Sequence, residues 1–215
     1  MKPTPSVSII DYGVGNVNSV ANMLRRAGVI VELVRTSDEV LSAQKLLLPG
    51  VGSFDDCKRA LAAVPGLECA IIKVAHSGRS LLGICVGMQL LAGSSEEGKE
   101  DGLNIIPGRV RKFSFPRSDC ALSLTVPHMA WSSVQTAGDN ALFSQGLADL
   151  NRFYFVHSYY FEASDSADVS AWCNYGFDFA ASVRRGNVYG VQFHPEKSHR
   201  FGLQLLKNFA EIPSL

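Results

Sequence analysis

The chain has no surplus of either charge: its 20 Lys and Arg balance its 20 Asp and Glu, for a formal net charge of zero at pH 7. A module that grips nucleic acid needs a basic excess, so that class is disfavoured. No apolar run approaches about 18 uninterrupted residues, so no membrane-spanning helix and no membrane partner is expected. The opening Met1-Lys2-Pro3-Thr4-Pro5 leads straight into a predicted strand without a signal-peptide pattern, and a cytoplasmic location is expected. Cysteine is sparse and odd in number: Cys57, Cys69, Cys85, Cys120 and Cys173 form no C-x-x-C pair. This argues against a disulfide framework or a zinc site and suits a reducing compartment. Internal repeats and low-complexity linkers are missing. Asp11-Tyr12-Gly13-Val14-Gly15 lacks the full dinucleotide fingerprint. No cofactor or metal is called for.

What is present is a core. With 215 residues, 47% of them hydrophobic, one domain over residues 1–215 is expected. The first ninety or so residues alternate strand and helix. Strands are predicted at Val7–Tyr12, Ile30–Val34, Lys45–Leu48 and Ser80–Ile84. Helices are predicted at Asn18–Ala27, Ser37–Ala43, Phe54–Ala63 and Leu67–His76. That alternation is the mark of a mostly parallel central sheet flanked by helices, an α/β fold. From about residue 102 the texture changes to strands with polar turns, at 110–115, 129–134, 153–161, 180–184 and 187–193. This half reads as a more antiparallel β region added to the same domain. Phe201–Glu211 is a final helix, and 94–102 reads as a solvated loop.

Gly83-Ile84-Cys85-Val86-Gly87 carries the first chemical signal. It sits between the apolar run Ser80–Leu82 and Met88-Gln89-Leu90-Leu91, where a strand turns into a helix. This is the G-x-C-x-G form of the nucleophile elbow, which forces its central side chain out of a strained bend. The flanking glycines allow neighbouring backbone to approach. A helix starting near Val86 puts its positive end beside the sulfur, which favours a thiolate nucleophile. A lone cysteine in an apolar run otherwise reads as core.

The second signal is Gly190-Val191-Gln192-Phe193-His194-Pro195-Glu196. In extended backbone, residues two apart project to one side, so His194 and Glu196 can point together. A carboxylate beside an imidazole fixes its tautomer, and an imidazole near a thiol supplies the base for acyl transfer. An oxyanion then needs donors. The N–H of Val86, directly after the nucleophile, is one, and the glycine-rich loop Pro49-Gly50-Val51-Gly52 can supply a second. His128 and His157, in strand-like apolar settings, read as structural histidines, whereas His76 and His199 read as solvated.

G-I-C-V-G-M-Q-L-L, P-G-V-G-S-F and G-V-Q-F-H-P-E-K-S together resemble the class I (triad) glutamine amidotransferases, whose fold is flavodoxin-like. P-G-V-G, I-P-G-R-V at 106–110, P-H-M at 127–129 and Y-F-V-H-S-Y at 154–159 narrow the resemblance to the HisH family, the glutaminase subunit of imidazole glycerol phosphate synthase. The likeness covers nearly the whole chain.

The resemblance implies that Cys85 attacks the side-chain amide of L-glutamine, with His194 as base and then acid and Glu196 orienting His194. It implies oxyanion donors at Val51 and Val86, and substrate contacts at Gly52, Gln89, Ser158 and Tyr159. It implies a peptide before Val51 that reorients when a partner acts. Trp131, Tyr154 and Lys197 match positions at the subunit interface and ammonia exit. The implied partner is a cyclase subunit with a (β/α)8 barrel, forming a heterodimer. Little chain follows Glu196, so ammonia is expected to serve a separate subunit. Two departures, Ala130 and Ser132, fall near the interface: the family pattern H-M-G-W-N is His128-Met129-Ala130-Trp131-Ser132 here. Other readings are a paralogous glutaminase for amidination of surface sugars, the glutaminase subunit for pyridoxal phosphate or anthranilate synthesis, a cysteine-dependent ester hydrolase, and a non-enzymatic redox sensor or chaperone. An ester hydrolase would place its acid before its histidine, the reverse of the order here.

Overall fold

Four short apolar runs make the parallel part of the sheet. In the computed structural model, which describes residues 4–115, 124–138, 140–147 and 151–213, these are β1 (Ser6–Ile10), β2 (Ile30–Val34), β3 (Lys45–Leu48) and β4 (Ser80–Ile84). Every residue of β3 and β4 is buried, as strands covered on both faces require. Even Lys45 is buried, and its ammonium is held by the Ala210 carbonyl. The connecting helices are α1 (Val17–Arg26), α2 (Ser37–Ser42), α3 (Phe54–Ala62) and α4 (Leu67–His76). Local chemistry sets their starts. Thr36 and Glu39 form a capping box on α2, and the Ser53 hydroxyl accepts the Asp56 N–H at the head of α3.

After β4 comes α5 (Val86–Gln89), a single turn, then β5 (Ser94–Ser95), β6 (Gly108–Lys112) and β7 (His128–Thr136). β8 (Asn151–His157), β9 (Tyr159–Ala163), β10 (Val169–Asn174), β11 (Asp178–Arg185), β12 (Val188–Val191) and α6 (His199–Glu211) complete the chain. The main path through the sheet is β2-β1-β3-β4-β12-β11-β10-β7-β8. Pairing is parallel from β2 to β12 and antiparallel from β12 onward. The last strand therefore returns beside β4, which brings residues near 190 against residues near 84: Gly190 pairs with Gly83 and Val191 with Ile84. α1 packs on α6, while α2 and α3 pack on α4. Among the described residues no helix is long and apolar enough to cross a membrane.

The mostly parallel sheet with an antiparallel extension matches expectation, and several details differ. The run 153–161 is two strands, broken at Ser158, because the chain changes partners there: His157 pairs with His128, and Tyr159 with Lys112. β10 escaped notice since Val169-Ser170-Ala171-Trp172-Cys173 shows no clean alternation in a strand buried almost throughout. The helix after the elbow is one turn, not a long element, so its dipole is correspondingly short. The 94–102 segment is not simply solvated. Ser94 and Ser95 pair with β6, and Glu97 reaches inward to accept the Phe54 N–H at 2.8 Å. Cys120 lies outside the described residues; Cys57, Cys69, Cys85 and Cys173 are free thiols.

Candidate active site

The elbow is built by contacts only glycine permits. Cys85 has φ 54° and ψ −112°, a conformation costly for a side-chain-bearing residue. It is held because β4 docks on β12, with the Cys85 N–H donating to the Val191 carbonyl at 2.8 Å. A Cβ at Gly87 would lie 2.0 Å from the Leu48 carbonyl oxygen, and one at Gly83 2.6 Å from the Gly87 oxygen. A Cβ at Gly50 would lie 2.5 Å from the Gly87 nitrogen, so the Pro49–Gly52 loop lies directly against the elbow.

β12 then delivers His194 to the sulfur. The His194 N–H donates to the Tyr154 carbonyl at 2.9 Å, and Ser198 ties the segment down, its hydroxyl donating to the His194 carbonyl at 2.6 Å. Phe153 and Phe193 stack at 3.9 Å beneath it. On one side His194 faces the cavity it shares with Cys85, whose thiol acts on its proton affinity. On the other, its Nδ1 lies 2.8 Å from Glu196 Oε1. The His194 and Glu196 side chains are 3% and 2% exposed, so water competes little with this pair. Their contact comes from the 3-10 turn at Pro195–Lys197 and not from the extended strand the sequence suggests.

Burial alone lowers an imidazole pKa, yet the neighbouring Cys85 and Glu196 outweigh it and raise His194 to about 9. Burial likewise works against the Glu196 carboxylate, but the His194 contact and the Asn16 amide prevail and hold it below its usual range. Asn16 Nδ2 donates to Glu196 Oε1 at 3.1 Å.

Val51, Gly52, Cys85, Val86, Gln89, Ser158, Tyr159, His194 and Lys197 line one cavity of about 330 Å³. Among the described residues neither the Val51 N–H nor the Val86 N–H has a hydrogen-bond acceptor, and both residues line the cavity. The Gln89 amide nitrogen is already occupied: its Nε2 donates to the Tyr159 carbonyl at 3.2 Å and to Gln192 Oε1 at 3.0 Å. Trp131 and Tyr154 are not cavity-lining. They group around Lys197 at its edge, the Lys197 ammonium 5.9 Å from the Tyr154 ring centre and the Trp131 ring 6.1 Å from it. Trp131 also stacks on His199 at 5.4 Å, so His199 is exposed but not free.

Three residues were missed in the sequence. Glu97 lines the cavity, and burial raises its pKa. Gln192 bridges Gln89 and Cys85, with its Nε2 3.8 Å from the sulfur. Asn16 braces Glu196. Position within the quoted G-V-Q-F-H-P-E motif could have flagged Gln192; no local pattern marks the other two.

His128 and His157 are buried, as structural histidines should be. The Tyr159 carbonyl accepts from His157 Nδ1 at 2.7 Å, which makes His157 Nε2 the acceptor for His128 Nδ1–H at 3.0 Å. Desolvation lowers His128 to about 4 and His157 to about 3, so both are neutral near pH 7.

A cysteine elbow, an imidazole, a buried carboxylate and two free backbone donors on this sheet define a class I glutamine amidotransferase, and residues 8–212 match the family described as glutamine amidotransferase class-I. A solved structure titled as PurLQS from Thermotoga maritima shares the fold, with TM-score 0.71 at 18% identity, covering 96% of this chain and 98% of that one. Within the class, the chain belongs to the HisH family of imidazole glycerol phosphate synthase subunits. It is 45% identical over 206 residues to subunit HisH of Leptospira borgpetersenii, covering 96% of this chain and 100% of that protein. It is 43% identical over 206 residues to subunit HisH 2 of Pseudomonas aeruginosa, covering 96% and 99%. The ester-hydrolase and redox-sensor readings are not favoured by these relatives.

Proposed function

We propose that this chain hydrolyses L-glutamine to glutamate and ammonia through Cys85, His194 and Glu196, as the glutaminase subunit of an imidazole glycerol phosphate synthase. The observation that carries the reading is His194 held between Cys85 and Glu196 over a cavity of amino-acid size. The Cys85 thiolate attacks the side-chain amide carbon while His194 carries the displaced proton. The oxyanion that forms is met by the Val51 and Val86 N–H groups. Collapse breaks the C–N bond, His194 gives its proton to the leaving nitrogen, and ammonia departs from a glutamyl thioester. Water, deprotonated by His194, then attacks the thioester, releasing glutamate and regenerating the thiolate. Glu196 and Asn16 keep the imidazole aimed. Glu97 offers a carboxylate to the α-ammonium group, and Gly52, Gln89, Ser158 and Tyr159 frame the rest of the amino acid.

The ammonia serves a second subunit, a (β/α)8-barrel cyclase that makes imidazole glycerol phosphate and the aminoimidazole carboxamide ribonucleotide (AICAR) of histidine biosynthesis, in the cytoplasm. The heterodimer forms over Trp131, Tyr154 and Lys197, where aromatic rings and a cation meet at the surface as in docking faces. Ammonia release, measured with and without that cyclase, tests the reading. The isolated chain turns over slowly and the complex faster by orders of magnitude; Cys85→Ala is inactive in both. Full activity alone, or activity in Cys85→Ala, contradicts it.

A further inference from the structure

The Asp11–Gly15 turn is rich in glycine yet binds no phosphate in the reading above, and the structure shows it packed elsewhere. Gly15 sits so close to the oxyanion loop that a Cβ there would lie 2.9 Å from the Pro49 ring. The Tyr12 hydroxyl donates to the Pro49 carbonyl at 2.6 Å. From the opposite side, the Cys57 thiol, on α3, donates to the Val51 carbonyl at 3.3 Å. Tyr12 is 6% exposed and Cys57 fully buried, and the two side chains also interact with each other. The Pro49 carbonyl belongs to the peptide before Gly50, and the Val51 carbonyl to the peptide after Val51. Both are tied down. The peptide between them carries the Val51 N–H.

We infer that Tyr12 and Cys57 are positioning residues that clamp the peptides on either side of Gly50–Val51 and so fix the aim of the Val51 N–H at the reacting carbonyl. A backbone donor stabilises an oxyanion only when it points at the place where charge develops. Gly50 and Gly52, the latter at φ 89°, leave the loop soft enough to need such clamps. Neither side chain lines the cavity, so their influence falls on the transition state and not on glutamine binding. Both groups stay protonated, since burial raises the pKa of each, and remain donors over the working pH range.

This inference rests on the glutaminase reading for its effect on rate, but not for the clamp itself. In the complex, Cys57→Ala and Tyr12→Phe lower kcat about 10-fold with KM within about twofold, a fraction of the 10²–10³ a whole donor supplies. Cys57→Ser, which keeps a donor, restores most of the rate. A residue that only fills space would not be rescued this way. Backbone NMR of the full chain supplies the independent arm. The order parameters of Val51 and Gly52 fall from about 0.85 toward 0.6 in Cys57→Ala, with Val86 unchanged, and recover in Cys57→Ser. Unchanged order parameters in Cys57→Ala and Tyr12→Phe overturn the clamp, as do equal losses in the Ala and Ser variants. If the order parameters fall as stated while the unmutated complex releases no ammonia, the clamp stands and the glutaminase reading is what fails.

Discussion

Asn16 and His194 share one carboxylate oxygen: Glu196 Oε1 accepts the Asn16 amide at 3.1 Å and lies 2.8 Å from His194 Nδ1. The residue that steers the imidazole is therefore itself steered from the first turn of the sheet, 180 residues away in the chain. Removing each member in turn has different outcomes. Glu196→Gln lowers kcat by about 10²–10⁴-fold, the range for disabling general acid–base chemistry, and brings the His194 titration down from about 9. Asn16→Ala leaves the carboxylate charge in place, so it lowers kcat less and moves that titration less. NMR titration of His194 checks the order. A larger effect from Asn16→Ala than from Glu196→Gln would contradict it.

The elbow tolerates no methyl group where loop and strand cross. Gly87→Ala puts a Cβ 2.0 Å from a backbone oxygen with nowhere to move. A loss of at least about 1–3 kcal/mol follows from overpacking. Gly13→Ala, where a Cβ meets nothing within 4 Å, carries only the cost of its φ of 86° and loses less. Denaturant titration ranks the two variants.

Glu97 separates binding from chemistry. Its carboxylate lines the cavity without touching the His194 pair, so Glu97→Gln raises KM for glutamine about 10-fold or more, the worth of a hydrogen bond to a charged group. kcat changes little. A drop in kcat with KM intact would take Glu97 out of the binding site.

The buried histidine pair sets an acid limit on folding. Burial pulls His128 and His157 down to about 4 and about 3 in the folded chain, below the ordinary imidazole value of 6.5. The unfolded chain thus binds more protons as pH falls below 6.5, and stability declines on acidification until the folded values are reached. Each group adds up to about 1.4 kcal/mol per pH unit in that window. His157→Gln flattens the slope of unfolding free energy between pH 6 and about 4. An unchanged slope would mean that the pair does not carry it.

Much of this was legible in the sequence because the informative signals were local. Short apolar runs such as Leu46–Leu48 read as covered strands, and the two glycines around Cys85 read as an elbow. The geometry of His194 and Glu196 was foreseen for an incomplete reason, since a turn and not a strand brings them together. What stayed hidden depends on sequence-distant contacts. Asn16 and Glu97 gain their roles only when β1 and the 94–102 segment close on the site. The break at Ser158 arises from a change of strand partner, which aromatic residues on both sides conceal. The Asp11–Gly15 turn, which lacks the dinucleotide fingerprint, gives no sequence sign of its role, which is to pack Gly15 against Pro49.

The central claim is that the sulfur of Cys85 becomes acylated by glutamine. Rapid acid quench of the complex during turnover, followed by intact and peptide mass spectrometry, detects this directly. A glutamyl group is expected on the peptide containing Cys85, absent from Cys85→Ser and longer-lived in Glu196→Gln. Steady ammonia release with no adduct in any variant, or an adduct on Cys57 instead, would contradict the account.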